Sequence, residues 1–191
     1  MRTARDVVVL VGSLRKESLT RKVAMAMKKI APASITLKIV EIRDLQMYDS
    51  DLETDSPPRE WTTFRERVVR CDAVLFATPE YNRSVPGCLK NAVDVGSRPS
   101  GYGVFTGKPG AVVSVTPYGL GAFGANHHLR QVLVYVNVLA MAQPEAYVSK
   151  AGELVDADFN FIKEESRKFF SDFLGAFAKW IELVKAGSGG E

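Results

Sequence analysis

Val7-Val8-Val9-Leu10-Val11 is apolar at every position, and the run stops abruptly at Gly12-Ser13. A strand with one solvated face alternates apolar and polar residues, so an unbroken run suits a strand covered by helices on both sides, as in a parallel sheet. The rest of the chain offers the helices that such a sheet needs. Val23, Met27 and Ile30 recur at helical spacing until Pro32, and residues 35–40 alternate as a second strand. Residues 49–58, rich in Asp, Ser, Thr and Pro, read as a surface loop before a helix marked by Trp61, Phe64 and Val68. Residues 73–78 form a third buried strand closed by Pro79, and Pro86 opens a helix that runs through Val95. The glycine-bearing segment 98–108 reads as a mobile loop and residues 111–115 as a fourth strand. Leu129, Val132, Leu133 and Val136 mark the next helix and residues 146–148 a short last strand. Ile162, Phe169, Phe170, Phe173, Phe177 and Ile181 place a long amphipathic helix at the end, its phenylalanines read mainly as core.

Strand and helix thus alternate five times, which predicts an α/β fold: a doubly wound five-stranded parallel sheet with helices on both faces. The simplest strand order is 2-1-3-4-5, the flavodoxin-like arrangement. No linker divides the sequence, so residues 1–186 are expected as one domain and residues 187–191 as a flexible tail.

Charge narrows the partners. With 25 basic and 22 acidic residues and no run of five like charges, the chain offers no footprint for nucleic acid. The 7–11 run is too short for a signal-peptide core or a membrane span, and the chain is read as cytoplasmic with no membrane partner. Cys71 and Cys88 sit outside any metal-type or C-x-x-C cluster and read as reduced structural thiols. His127 and His128 are adjacent on a helix, so they point in different directions rather than at one metal. No metal site is expected.

In a sheet of this order, ligands bind beyond the carboxyl ends of strands one and three. After strand one stand Gly12-Ser13-Leu14-Arg15-Lys16-Glu17-Ser18-Leu19-Thr20. Here glycine permits a tight turn, and the next helix aims free N–H groups outward. Ser13, Arg15, Ser18 and Thr20 suit a terminal phosphate monoester. The segment matches neither G-x-G-x-x-G nor the P-loop pattern. An equally available reading makes Ser18 a helix cap and Arg15 a solvated charge. After strand three, Thr78-Pro79-Glu80-Tyr81-Asn82-Arg83-Ser84-Val85-Pro86 is a polar loop stiffened by prolines, able to read the edge of a heterocycle with fixed backbone groups.

Taken together, Gly12-Ser13-Leu14-Arg15 with Ser18, Pro79-Glu80-Tyr81-Asn82, Pro86-Gly87, and Leu89-Lys90-Asn91-Ala92 with Asp94 resemble the NADPH-dependent FMN reductase family, its chromate- and quinone-reducing members above all. The resemblance runs from Val7 to about Pro144, with departures at Thr20 and at Val95-Gly96. It implies flavin mononucleotide (FMN) as cofactor and NADPH or NADH as co-substrate. Phosphate contacts would come from Ser13, Arg15, Ser18 and Thr20. Flavin-ring contacts would come from Pro79, Glu80, Tyr81 and Asn82, and, in the loop after strand four, from Thr116 and Gly119. Glu80 is read as an anchor for its loop and Asp94 as a structural cap or ion-pair partner. The resemblance also implies a ping-pong hydride transfer through the flavin with no catalytic side chain, acceptors such as quinones, flavins or chromate, and a homodimer or homotetramer in which the third and last helices pair. The rival reading is a flavodoxin-type electron carrier, although such carriers are usually acidic and this chain carries +3.

Overall fold

The computed structural model describes residues 4–187. The elements follow in the order β1 Arg5–Val11, α1 Leu19–Ile30, β2 Ile35–Val40, α2 Arg59–Val69, β3 Ala73–Thr78, α3 Gly87–Gly96, β4 Pro109–Val115, α4 Phe123–Tyr135, β5 Leu139–Ala140, β6 Ala146–Val148 and α5 Glu164–Gly187. All strands are parallel, in the order β2-β1-β3-β4-β5 with β6 also on β4. Val9 stands in register with Ile39 on one side and Leu75 on the other, and Phe76 with Val112.

The unbroken run of β1 is explained by the two layers that it serves. Val7, Val9 and Val11 face a core shared with Val23 and Met27 of α1 and with Phe170, Phe173, Phe177 and Ile181 of α5. Val8 and Leu10 face the opposite core, with Trp61, Phe64 and Val68 of α2, Leu89 of α3, and Leu129 and Leu133 of α4. Burial of each such side chain contributes about 1.5–3 kcal/mol, so neither face tolerates a polar residue.

Three local features differ from the sequence reading. The fifth position of the sheet is split: Leu139–Ala140 pairs with Pro109 and Gly110, while Ala146–Val148 pairs with Val113, Ser114 and Val115. The first piece follows the end of α4, where Asn137 adopts φ 56° and Val138 N donates to Leu133 O (3.0 Å), a left-handed cap that turns the chain straight into the sheet. Ile162 precedes α5 and is 59% exposed, so it belongs to neither the helix nor the core. The 98–108 loop is pinned at its middle by buried Val104 and Phe105, and a Cβ at Gly96 would overlap the Phe105 ring. That ring fills the space at the family departure Val95-Gly96. Of the expected tail, Gly187 is the last residue of α5 and residues 188–191 lie outside the described residues. Among the described residues, no helix is long and apolar enough to cross a membrane.

Candidate functional site

Gly12 brings the first two loops together. Its N–H continues the ladder to Ala77 O (2.8 Å), and a Cβ there would lie 3.0 Å from Leu89 Cδ2 and 3.3 Å from Pro79 Cδ. A side chain at this position would wedge the β1 and β3 loops apart.

Beyond Gly12, Ser13 is buried while Arg15 and Lys16 are exposed. Ser18 is the N-cap of α1, and its hydroxyl accepts from Arg21 N at 3.1 Å, so the capping role is realised. Thr20 is buried in the first helical turn, whose leading N–H groups point past it toward the loop. A cavity of about 220 Å³ is lined by Ser13, Leu14, Arg15, Lys16, Arg21, Glu41 and Arg43. Arg21 grips Glu41 with both terminal nitrogens and holds that carboxyl below its usual range. Arg43 donates to Leu14 O and steadies the loop. With Glu41 answered by Arg21, the charge left over comes from Arg15, Lys16 and Arg43. That donor set fits a phosphate monoester at a helix N-terminus.

The β3 loop is a hairpin in miniature. Tyr81 N donates to Ser84 O (3.1 Å) and Ser84 N to Tyr81 O (3.0 Å), while Asn82 and Arg83 both take positive φ, 51° and 63°. Two successive left-handed residues that are not glycine cost on the order of 1 kcal/mol each, and such turns persist where their surroundings hold them. Here α4 does the holding. Glu80 Oε2 accepts from Ala125 N at 3.0 Å, Ser84 Oγ lies 2.8 Å from His128 Nδ1, and the absent side chain of Gly124 leaves room for Glu80 Oε2 and Arg83 O within about 3 Å. Glu80 thus anchors its loop, as read from sequence, by supplying an anion to the N-terminus of α4. Asp94 pairs with Lys90 (2.7 and 2.8 Å).

In the β4 loop, Thr116 N donates to Val148 O (2.9 Å), Thr116 Oγ1 accepts from Tyr118 N (3.2 Å), and the space around Gly119 is open. Gly121 has φ 57°, and a Cβ there would sit 2.6 Å from the Tyr147 carbonyl carbon. Buried Ser114 donates to Gly121 O (2.6 Å) and accepts from Asn126 Nδ2 (3.1 Å), whose Oδ1 accepts from Arg130 Nε (3.0 Å). Nearby, Tyr147 donates to Glu145 (2.7 Å) and faces His127 Nε2 at 2.9 Å, so the two adjacent histidines do point apart. Burial, reinforced by Glu145, pushes the Tyr147 phenol up to about 12. Sequence reasoning missed both networks. Only the i, i+4 spacing of Asn126 and Arg130 hinted at the first.

Asn91, part of the Leu89-Lys90-Asn91-Ala92 motif, carries a role that the sequence did not show. Buried in α3, it accepts from Tyr48 N (2.8 Å) and donates to Leu45 O (3.2 Å) and Gln46 O (3.0 Å), fastening the β2–α2 connection to the site. A roomier groove of about 430 Å³ lies between β2 and α2. Asp44 and Glu60 offset Arg59 and Arg67 there, and neither the β1 nor the β3 loop lines it. The charge excess and the stiffened loops thus make the strand ends, rather than this larger groove, the candidate site.

A doubly wound sheet of this order, with a cation-rich loop after β1 and stiff loops after β3 and β4, defines a flavodoxin-like α/β protein. The comparisons narrow the class. The chain belongs to the NADPH-dependent FMN reductase family, whose model matches residues 5–153. It is 54% identical over 181 residues to a quinone reductase of Pseudomonas putida, covering 95% of this chain and 97% of that one. It is 38% identical to a 2-hydroxy-1,4-benzoquinone reductase from Burkholderia sp (93% and 97% covered). Among solved structures it is similar to the flavoenzyme NAD(P)H:(acceptor) oxidoreductase FerB of Paracoccus denitrificans, with TM-score 0.90, 39% identity, and 95% and 99% of the two chains covered. The protein is accordingly an FMN- and NAD(P)H-dependent oxidoreductase.

Proposed function

We propose that this chain is an NAD(P)H:quinone oxidoreductase that takes hydride from NADPH or NADH and passes the electrons to quinones, with free flavins and metal oxyanions such as chromate as further acceptors. The observation that carries the reading is the junction at Gly12, where a loop rich in uncompensated cations meets the hairpin docked on α4. The names of the Pseudomonas putida and Burkholderia relatives favour quinones.

Ser13, Arg15, Ser18 and Thr20 hold the phosphate in this reading. The hydroxyl of Ser18 is shared with its capping bond, and Arg15 closes over the anion from solvent. Pro79, Glu80, Tyr81 and Asn82 set the isoalloxazine edge. Pro79 and Glu80 fix the backbone, while half-exposed Tyr81 and left-handed Asn82 present side chains and amides. Thr116 and Gly119 admit the ring from the β4 side, where nothing crowds Gly119. When bound, FMN supplies the centre that accepts hydride from the nicotinamide and yields it to the acceptor. The loops would hold that group with one face accessible, and their backbone N–H dipoles would stand where negative charge develops. No protein nucleophile is required.

The whole of residues 1–186 acts as one unit in this proposal, and the protein works in the cytoplasm. It forms a homodimer or homotetramer. The pairing read from the resemblance involves α3 and α5, and on α5 Leu183 is 64% exposed; a larger exposed apolar pair, Val134 and Tyr135 (89%), lies instead at the end of α4. Sedimentation velocity that gives a single 21.0 kDa species at micromolar concentration removes the oligomer.

The direct test is an anaerobic visible spectrum of the protein supplied with FMN, then NADPH, then 1,4-benzoquinone. Bleaching by NADPH and recovery on adding quinone are expected. Bound flavin that stays yellow identifies an electron carrier instead, and absence of flavin binding sinks both readings.

A further inference from the structure

Reduction of a quinone to a hydroquinone takes up two electrons and two protons. Hydride brings both electrons and one hydrogen nucleus, and the second proton must come from water through a group at the site. Few groups of the described chain can relay it near neutral pH. Cys71 lies just before the amino end of β3, donates its thiol to Val68 O (3.0 Å), and is pushed up by burial. Burial likewise pushes up the Cys88 thiol in α3. The Glu80 carboxylate is occupied by Ala125 N–H. His127 Nε2 is taken by Tyr147, itself tied to Glu145.

His128 is different. Its Nδ1 is held 2.8 Å from Ser84 Oγ, the ring is exposed, and Nε2 has no partner among the described residues. Ser84 closes the hairpin that carries Tyr81 and Asn82. Gly124, one helical turn before His128, is the residue on which that hairpin rests. One imidazole nitrogen is thus fixed by the loop assigned to the flavin edge while the other faces solvent beside it. We infer that His128 is the proton donor to the quinone, with Ser84 as the residue that positions its ring; this rests on the quinone reductase reading above.

The step balances with no further reagent. Hydride delivery leaves one quinone oxygen bearing hydrogen and the other bearing negative charge. The Nε2–H bond of the His128 imidazolium breaks, its electron pair stays on nitrogen, and the proton forms an O–H bond on the charged oxygen. Neutral imidazole, its remaining proton on Nδ1 and donated to Ser84 Oγ, is recharged from solvent. The charges on the elements around the ring are Glu80 and Arg83 of the hairpin, themselves paired at 3.5 Å, and His127 and Arg130 of α4. Imidazole is the side chain whose ordinary charge change falls between pH 5 and 8, where this transfer has to operate.

The test uses FMN-loaded protein reduced by NADPH, with stopped-flow reoxidation by 1,4-benzoquinone and by ferricyanide, which accepts electrons without a proton. In His128→Asn the ratio of the benzoquinone rate to the ferricyanide rate is expected to fall about 100-fold. Wild-type benzoquinone reoxidation should slow with rising pH along a limb that is absent from the variant, with imidazole buffer restoring part of the rate. A readout independent of turnover is ¹⁵N NMR of the histidine side chains in the oxidised protein. It should give His128 an Nδ1–H tautomer in its neutral form and lose that preference in Ser84→Ala. An unchanged rate ratio overturns the inference, because both reactions would then be limited by hairpin geometry or the proton would come from water directly. An Nε2–H tautomer overturns the role of Ser84. Failure of the quinone reading itself appears earlier and separately, as wild-type protein that benzoquinone does not reoxidise.

Discussion

Glu80→Ala should loosen the site measurably without unfolding the protein. The carboxylate is 16% exposed and accepts one charge-assisted bond from Ala125 N at 3.0 Å, for which removal costs about 1.5–3 kcal/mol. Its charge at the N-terminus of α4 adds about 0.3–1 kcal/mol. The contact to Arg83 at 3.5 Å adds close to nothing, since that guanidinium is 77% exposed. The Ala variant should therefore lose about 2–3 kcal/mol, whereas Glu80→Gln, which keeps an acceptor and drops the charge, should lose about 1 kcal/mol. For a domain of this size these correspond to Tm losses of roughly 5–10 °C and 2–4 °C. Calorimetry at about 50 mM and 500 mM salt separates the two contributions, because the charge component shrinks with screening and the hydrogen bond does not. Equal losses in the two variants, or an Ala loss under about 0.5 kcal/mol, would refute the idea that α4 holds the hairpin through this carboxylate.

Asn91→Leu keeps the branching of the side chain but strands Tyr48 N–H and the Leu45 carbonyl, while Gln46 O keeps its bond from Trp61 Nε1 (3.0 Å); urea unfolding should show a loss of about 3 kcal/mol, and a loss below about 1 kcal/mol would mean that water replaces the amide. In an ultraviolet titration, Tyr147 should form phenolate at about pH 12, seen as the late step missing from Tyr147→Phe. Because that folded-state value lies above the ordinary 10, the stability that Tyr147 contributes is whole below pH 10 and is lost as pH rises toward 12. Asp72 behaves in the opposite sense. Burial alone would raise its carboxyl, but Asp6 N–H, Lys185 and Arg5 outweigh burial and hold it down. Its contribution is present above the ordinary aspartate range and is lost as pH falls from there through the lowered folded-state value, so the urea-midpoint gap between wild type and Asp72→Asn should begin to narrow by about pH 3.

The sheet and its order were legible because they follow from one-dimensional patterns. The all-apolar run 7–11 needs two cores and finds them, and the helices that cover it carry apolar residues at helical period. The loops were legible through glycine and proline, whose backbone limits are local. What escaped depends on residues far apart in the chain. Glu80 meets Ala125, and Ser84 meets His128, across more than forty positions, and no spacing rule announces either. The two-residue strand Leu139–Ala140 is too short to show a period. The overreach at Ile162 arose because its spacing mimics the helix that begins two residues later. Val95-Gly96 stood out only as a departure from the family pattern, and the space at Gly96 is filled by Phe105 from a segment that reads as loop.

The split fifth position also bears on how the molecule behaves in crowded solution. A free sheet edge is a template on which another chain can add a strand. On the β4 side the outermost pieces are two and three residues long and separated by irregular chain, so an incoming strand meets fewer positions in a row than the five or six of an average strand. At the other edge β2 carries Lys38, which is engaged with Asp6 of the neighbouring strand and plants a charge in the middle of the surface an intruder would have to pair with. Both margins of the sheet are thereby closed to end-on growth, and self-association is left to the helical faces.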